Sequence, residues 1–106
     1  MKATVVDNVQ RHRYEVIHDG VNAGHAEYRL ENTGGAENQP QATIAFTHTQ
    51  IDEEFSGRGL ASTLIRHALD DARSKGLKVL PYCKFVRGYL EKHPDYQDLV
   101  PADWTP

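Results

Sequence analysis

Between Leu60 and Ala72 apolar residues recur every four positions, as Leu60/Ala61, Leu64/Ile65, Ala68/Leu69 and Ala72, with Gly57 and Gly59 before them and Gly76 after. That spacing predicts an amphipathic helix with a wide buried stripe. Gly76 suits a left-handed cap, and Arg73 and Lys75 occupy the last turn, where the macrodipole is negative. Ahead of the turn, Ala42 to Ile51 alternates, which predicts a strand with Ala42, Ile44, Phe46 and His48 on one face and Thr43, Ala45, Thr47 and Thr49 on the other. Beyond the helix, Leu77–Cys83 predicts a second strand. Strand, glycine turn, helix and strand in that order make a right-handed crossover, so these two strands run parallel. Pro81 cannot donate to a ladder, which implies an edge or a splaying of the second strand there.

The upstream third predicts an antiparallel meander. Val5–Val6 and Tyr14–His18 are short strands, the stretch from Asp19 to Gly24 is turn-rich, and His25–Leu30 carries Ala26, Tyr28 and Leu30 on one face. Residues Glu31–Gln41 hold no apolar side chain except Ala36 and include Gly34, Gly35 and Pro40, the composition of an exposed, mobile loop. After the crossover, Lys84–Lys92 forms a short helix with Phe85 and Tyr89 on one face, closed by His93-Pro94 and followed by a polar tail. The fold class is therefore α+β, a mixed α/β arrangement: antiparallel strands, then the β-turn-α-β crossover, then a short C-terminal helix. A chain of 106 residues is expected to be a single domain spanning positions 1–106.

Charge narrows the partners. Residues 57–92 carry eight basic and three acidic side chains, a balance of +5, against four basic and twelve acidic elsewhere, hence −8. A basic block this small inside a chain of net charge −3 is too weak for nucleic acid and fits a compact anion such as a phosphorylated cofactor. No run of eighteen apolar residues exists, and the opening MKATVVDNVQ lacks the layout of a secretion signal, so no membrane partner and a cytoplasmic location are expected. The lone Cys83 agrees with a reducing compartment. The six histidines show no helical pairing with another ligand, so no metal is expected.

A Gly-x-Gly turn opening a helix gathers backbone N–H groups that lack intrahelical acceptors, at the end of the dipole that favours an anion. No Gly-Lys-Ser/Thr follows, which excludes a P-loop, and the third glycine and acidic strand end of a dinucleotide fingerprint are missing. The hexapeptide Ser56-Gly57-Arg58-Gly59-Leu60-Ala61 resembles the acetyl-CoA signature of the GCN5-related N-acetyltransferases, Gln/Arg-x-x-Gly-x-Gly/Ala, with Ser56 standing where Gln or Arg is usual. The resemblance runs from about Tyr28 to Val100 and is to a compact subfamily of small acetyltransferases. Its landmarks are His48-Thr49-Gln50-Ile51, Val79-Leu80-Pro81-Tyr82-Cys83 and His93-Pro94-Asp95-Tyr96. It implies acetyl-CoA as co-substrate, with the backbone from Ser56 through Gly57, Arg58, Gly59, Leu60 and Ala61 to Ser62 as its phosphate site. It further implies pantetheine contacts from Thr49, Gln50 and Ile51, with Phe85, Tyr89 and Lys92 on the cofactor's far side.

The catalytic candidates are Cys83 and His48. Cys83 ends the strand that should flank the thioester and is either an acyl-accepting nucleophile, a proton donor to the departing thiol, or a small buried apolar residue. His48, on the opposite strand, is a general base or a hydrogen-bonded core histidine. His93 suits a cap, Tyr82 and Tyr89 suit packing with a polar tip, and Asp52-Glu53-Glu54 is either a solvated charge run or a binding site for a cationic amine. The expected function is transfer of an acetyl group from acetyl-CoA to a primary amine, by a monomer or homodimer. The alternatives on the same fold are a non-catalytic CoA-binding module and a partner-binding protein.

Overall fold

The structure, a computed structural model, describes residues 3–36, 39–55, 57, 59–102 and 104; for 32–36 and 39–41 it describes the backbone alone. Five strands form one sheet in chain order: β1 (Ala3–Asn8), β2 (Arg13–His18), β3 (Val21–Ala36), β4 (Gln39–Ile51) and β5 (Lys78–Pro81). The first four are antiparallel neighbours, and β5 joins β4 in parallel, as the crossover requires. Helix α1 (Leu60–Ser74) makes that crossover, and α2 (Lys84–Lys92) follows β5.

Three details depart from the expectations. The β2–β3 turn is only Asp19-Gly20, with φ of 50° and 80°, so β3 begins at Val21 rather than at His25. Two positive φ values match the twist of a tight hairpin. The stretch Glu31–Gln41, expected as a loop, instead extends a hairpin: β3 runs to Ala36 and β4 starts at Gln39, with Glu31 opposite Thr43 and Asn32 opposite Ala42. Ladder hydrogen bonds come from the backbone, so polar side chains do not forbid pairing beyond the core.

The third departure concerns β4. Glu27 pairs with His48 but the next residue, Tyr28, pairs with Phe46, leaving Thr47 as a bulge. An extra residue reverses the facing of everything beyond it. Phe46 is buried, while His48 is exposed and shares a face with Gln50 and Glu27 instead of with Ile44 and Phe46.

The core lies between the sheet and α1. Leu60, Leu64, Ile65, Ala68, Leu69 and Ala72, the predicted stripe, are buried against Tyr14, Val16, Ala26, Tyr28, Ile44, Phe46 and Val79. The helix ends as its sequence implies: Gly76 has φ 72°, its N–H donates to the Arg73 carbonyl, and the Leu77 N–H donates to the Ala72 carbonyl. From α2, Val86 and Leu90 join the same cluster.

One polar network ties α1 to the sheet. The Tyr14 hydroxyl donates to Asp71 at 2.5 Å, the Tyr28 hydroxyl donates to Asp7 at 2.6 Å, and Lys75 reaches Asp71 at 2.9 Å and Asp7 at 3.4 Å. Burial pulls the Asp71 carboxyl upward, but the bonds from Lys75 and Tyr14 outweigh it and hold the group below the usual carboxylate range. Its stabilising contribution is therefore complete above the unfolded pKa, near ~4, and is lost as pH falls through the lowered native value. Urea unfolding between neutral and strongly acidic pH should show this loss, and Asp71→Asn should show a smaller one. Equal pH slopes for both proteins would remove Asp71 from the account.

Candidate active site

The parallel ladder stops early. Its last pair is Phe46 with Pro81, whereas β4 continues five residues further, to Ile51, paired only with β3. Pro81 lacks an N–H, and the chain then turns away: the Tyr82 N–H bonds back to the Leu80 carbonyl, and Cys83 caps the N-terminus of α2. A strand with one neighbour leaves alternate backbone groups directed outward, so the segment Thr47–Ile51 borders a gap with unspent donors and acceptors. This is the splaying that Pro81 implied.

Cys83 stands in that gap. Its N–H donates to the Phe46 carbonyl at 3.0 Å, and its buried thiol lies 3.2 Å from the Thr49 hydroxyl. Thr49 pairs with Ala26 on the face that packs against α1. His48, one residue earlier, emerges on the opposite face, so the structure does not bring the two catalytic candidates onto one side of the sheet. The His48 ring instead lies 6.3 Å from that of His25, whose Nε2 is 3.3 Å from the Glu27 carboxylate. This cluster escaped the sequence reading because it depends on the bulge and on cross-strand register.

At one end of β4 the chain passes through a short turn, Glu53–Phe55, into the start of α1. Ser56 and Arg58 lie outside the described residues. Gly57 and Gly59 have φ of 79° and 73°, and a Cβ on either would meet nothing within 4 Å. The space beside them is open, which fits a bulky anion held by backbone. Gly59 caps α1 without any side-chain bond, and its carbonyl accepts from the Thr63 N–H at 3.1 Å. The N–H groups of Leu60, Ala61 and Ser62 belong to the first turn, which has no intrahelical acceptors. Leu60 is buried in the core, so its backbone alone is available there.

Between this turn and α2 lies a cavity of about 340 Å³ lined by Ser62, Lys84, Phe85, Gly88, Tyr89, Lys92 and His93. Four residues named from the sequence, Ser62, Phe85, Tyr89 and Lys92, thus meet in one place. Lys84 and Lys92 make its wall cationic, and Phe85 and Tyr89 make it aromatic. Tyr89 is fixed by stacking on His93 at 4.0 Å and by Tyr96 at 5.9 Å; burial raises its phenol above the ordinary range. His93 also ends α2, the capping role expected of it. Tyr82 packs edge-on against Trp104, and Asp52, Glu53 and Glu54 are exposed.

Comparison with known proteins agrees with this architecture. A sequence model of the family described as GCN5-related N-acetyl-transferase matches residues 13–99. Protein NATD1 of Xenopus tropicalis is 31% identical over 52 residues, covering 49% of this chain and 48% of that protein, so the chain matches about half of that relative's length. Among solved structures, a GCN5-like protein from Staphylococcus aureus superposes with a TM-score of 0.62 at 22% identity, covering 92% of this chain and 87% of that one. Ribosomal-protein-alanine N-acetyltransferase from Brucella melitensis gives 0.61 at 17% identity, covering 89% and 65%. Glucosamine-6-phosphate N-acetyltransferase from Arabidopsis thaliana gives 0.58 at 16%, covering 89% and 61%. At these identities the structural likeness speaks for the fold, and the family match speaks for the lineage. With its core from β2 to the turn after α2 spanned by that match, the chain belongs to the GCN5-related N-acetyltransferase family.

Proposed function

We propose that this chain is an acyl-CoA-dependent N-acetyltransferase that moves the acetyl group of acetyl-CoA to a primary amine. The observation that carries the reading is the gap beside β4. It has free backbone groups along Thr49, Gln50 and Ile51, a helix-capping glycine turn near one end, and Cys83 against Thr49 in its wall. A pantetheine arm is an extended chain with amide groups, and a strand edge is the complement it needs. In this reading the backbone of Gly57, Gly59, Leu60, Ala61 and Ser62, with Ser56 and Arg58 between, holds the pyrophosphate at the helix N-terminus. Phe85, Tyr89, Lys92 and Lys84 receive the remainder of the cofactor.

Acetyl transfer needs an amine freed of a proton, an electrophilic thioester carbonyl and a protonated leaving thiol. Cys83, buried beside the Thr49 hydroxyl, is suited to donating toward the leaving sulfur. His48 lies on the other face, from which an acceptor is able to approach through the gap. The partners in this reading are acetyl-CoA and the amine acceptor, and the chain acts as one cytoplasmic domain.

The reading is tested by an amide NMR titration with acetyl-CoA, for which saturable shifts at Gly57, Gly59 and Cys83 are expected together. Turnover is then assayed with a panel of primary amines. Cys83→Ala should keep cofactor affinity and lower turnover by roughly a hundredfold, the span of a lost general acid. Binding without turnover of any amine would favour a CoA-binding module, and no shifts at millimolar acetyl-CoA would favour a partner-binding role.

A further inference from the structure

We propose that the acceptor amine is received as an ammonium ion by Glu27, on the sheet face turned away from α1, with His48 taking its proton and His25 positioning the carboxylate. This rests on the acetyl-transfer reading above and adds to it the acceptor side and the acceptor's chemical class.

The argument begins with how the carboxylates on that face are neutralised. Glu15 receives Arg13 at 2.8 Å and Asn8 at 3.2 Å, and Glu31 receives Arg29. Arg13 stands opposite Glu27 across β2 and β3, yet it is turned to Glu15. Glu27 is thus left, among the described residues, with His25 as its ion-pair partner at 3.3 Å, and its side chain is 48% exposed. A cationic amine would supply what arginine supplies to Glu15 and Glu31.

Position completes the argument. Directly opposed residues on neighbouring strands have Cβ atoms about 5 Å apart, and Glu27 is opposed to His48. His48 adjoins Thr49, whose hydroxyl touches Cys83 at the gap. A substrate held at Glu27 is therefore next to a proton acceptor and beside the opening through which a thioester carbonyl would be reached. No group of three or more His, Cys, Asp or Glu side chains among the described residues is arranged to hold a metal ion, which leaves a molecular cation as the occupant.

The protons balance as follows. An ammonium nitrogen carries three protons and the product amide one. The first passes to neutral His48, which later releases it to solvent. The neutral nitrogen then attacks the thioester carbonyl, the C–N bond forms, the C–S bond breaks, and the second proton ends on the CoA sulfur. Asp52, Glu53 and Glu54, just past β4, add negative charge at the same end of the strand. That favours an alkyl primary amine over one carrying a carboxylate beside the nitrogen.

The test is an NMR titration of the full chain with n-butylamine, and with norvaline, its α-carboxylated counterpart, in wild type and in Glu27→Gln. The expected result is saturable shifts at His25, Glu27 and His48 with n-butylamine, weaker by roughly fivefold in Glu27→Gln, as befits a half-exposed ion pair, and weaker still with norvaline. Absence of shifts in wild type, equal affinity in the variant, or equal response to norvaline would each overturn the proposal. Acetyl-CoA titrated into the same samples separates the two ideas. Loss of its shifts at Gly57 and Gly59 with the amine response intact removes the transfer reading and leaves the amine site standing.

Discussion

Gly24→Ala is expected to lower the unfolding free energy by about 2–3 kcal/mol, the cost of overfilling a packed site, and the melting temperature by roughly 10–20 °C for a chain of this size. A Cβ at Gly24 would lie 2.5 Å from the Gln50 carbonyl oxygen and 2.9 Å from the Ile51 Cα, both backbone atoms, and 2.6 Å from the Ile51 Cδ1. No rotamer change relieves a clash with main chain. The only escape is for the end of β4 to move, and that end borders the gap beside Cys83. Thermal unfolding monitored by circular dichroism checks the stability loss. A melting temperature within two or three degrees of wild type, on the order of 0.5 kcal/mol, would mean that β3 and β4 are less closely apposed there than described.

Gly59→Leu is expected to weaken acetyl-CoA binding by roughly a hundredfold, equivalent to losing one or two charge-assisted hydrogen bonds. The side chain would project into the open volume beside the first turn of α1. It would also strain the backbone, since φ at Gly59 is 73°, which costs on the order of 1–2 kcal/mol for a residue with a Cβ. Gly76→Leu separates the two effects, because Gly76 has φ 72° and equally open surroundings at the far end of the same helix. It should match the stability loss and retain cofactor affinity. Calorimetric titration of both variants decides, and equal affinities would move the phosphate site away from the turn.

Much of the fold was legible because burial and period coincide. All six apolar positions of α1 from Leu60 to Ala72 are buried, and Gly76 caps the helix as its position implied. The hairpin through Ala36 and Gln39 was not legible, since its backbone pairing proceeds without the apolar alternation that marks a strand. In the site, the glycine turn carried its own signal. The meeting of Ser62 with Phe85, Tyr89 and Lys92 depended on how α2 docks, which no local pattern encodes. The misplacement of His48 has a sharper cause. Alternation from Ala42 onward counts residues on one strand only, and the bulge at Thr47 exists only relative to β3.

Facing along a strand is a parity, odd or even, and Thr47 changes it once. Before the bulge, even positions of β4 serve the core; after it, they serve the open surface. Removing that one residue would carry His48 into the layer of Tyr14 and Phe46 and turn Thr49 away from Cys83, although no side chain had been altered. The spacing of the strand is therefore as much a part of the site as the residues it displays. A single insertion or deletion there does more damage than any one substitution, and a second, compensating length change nearby is able to undo it.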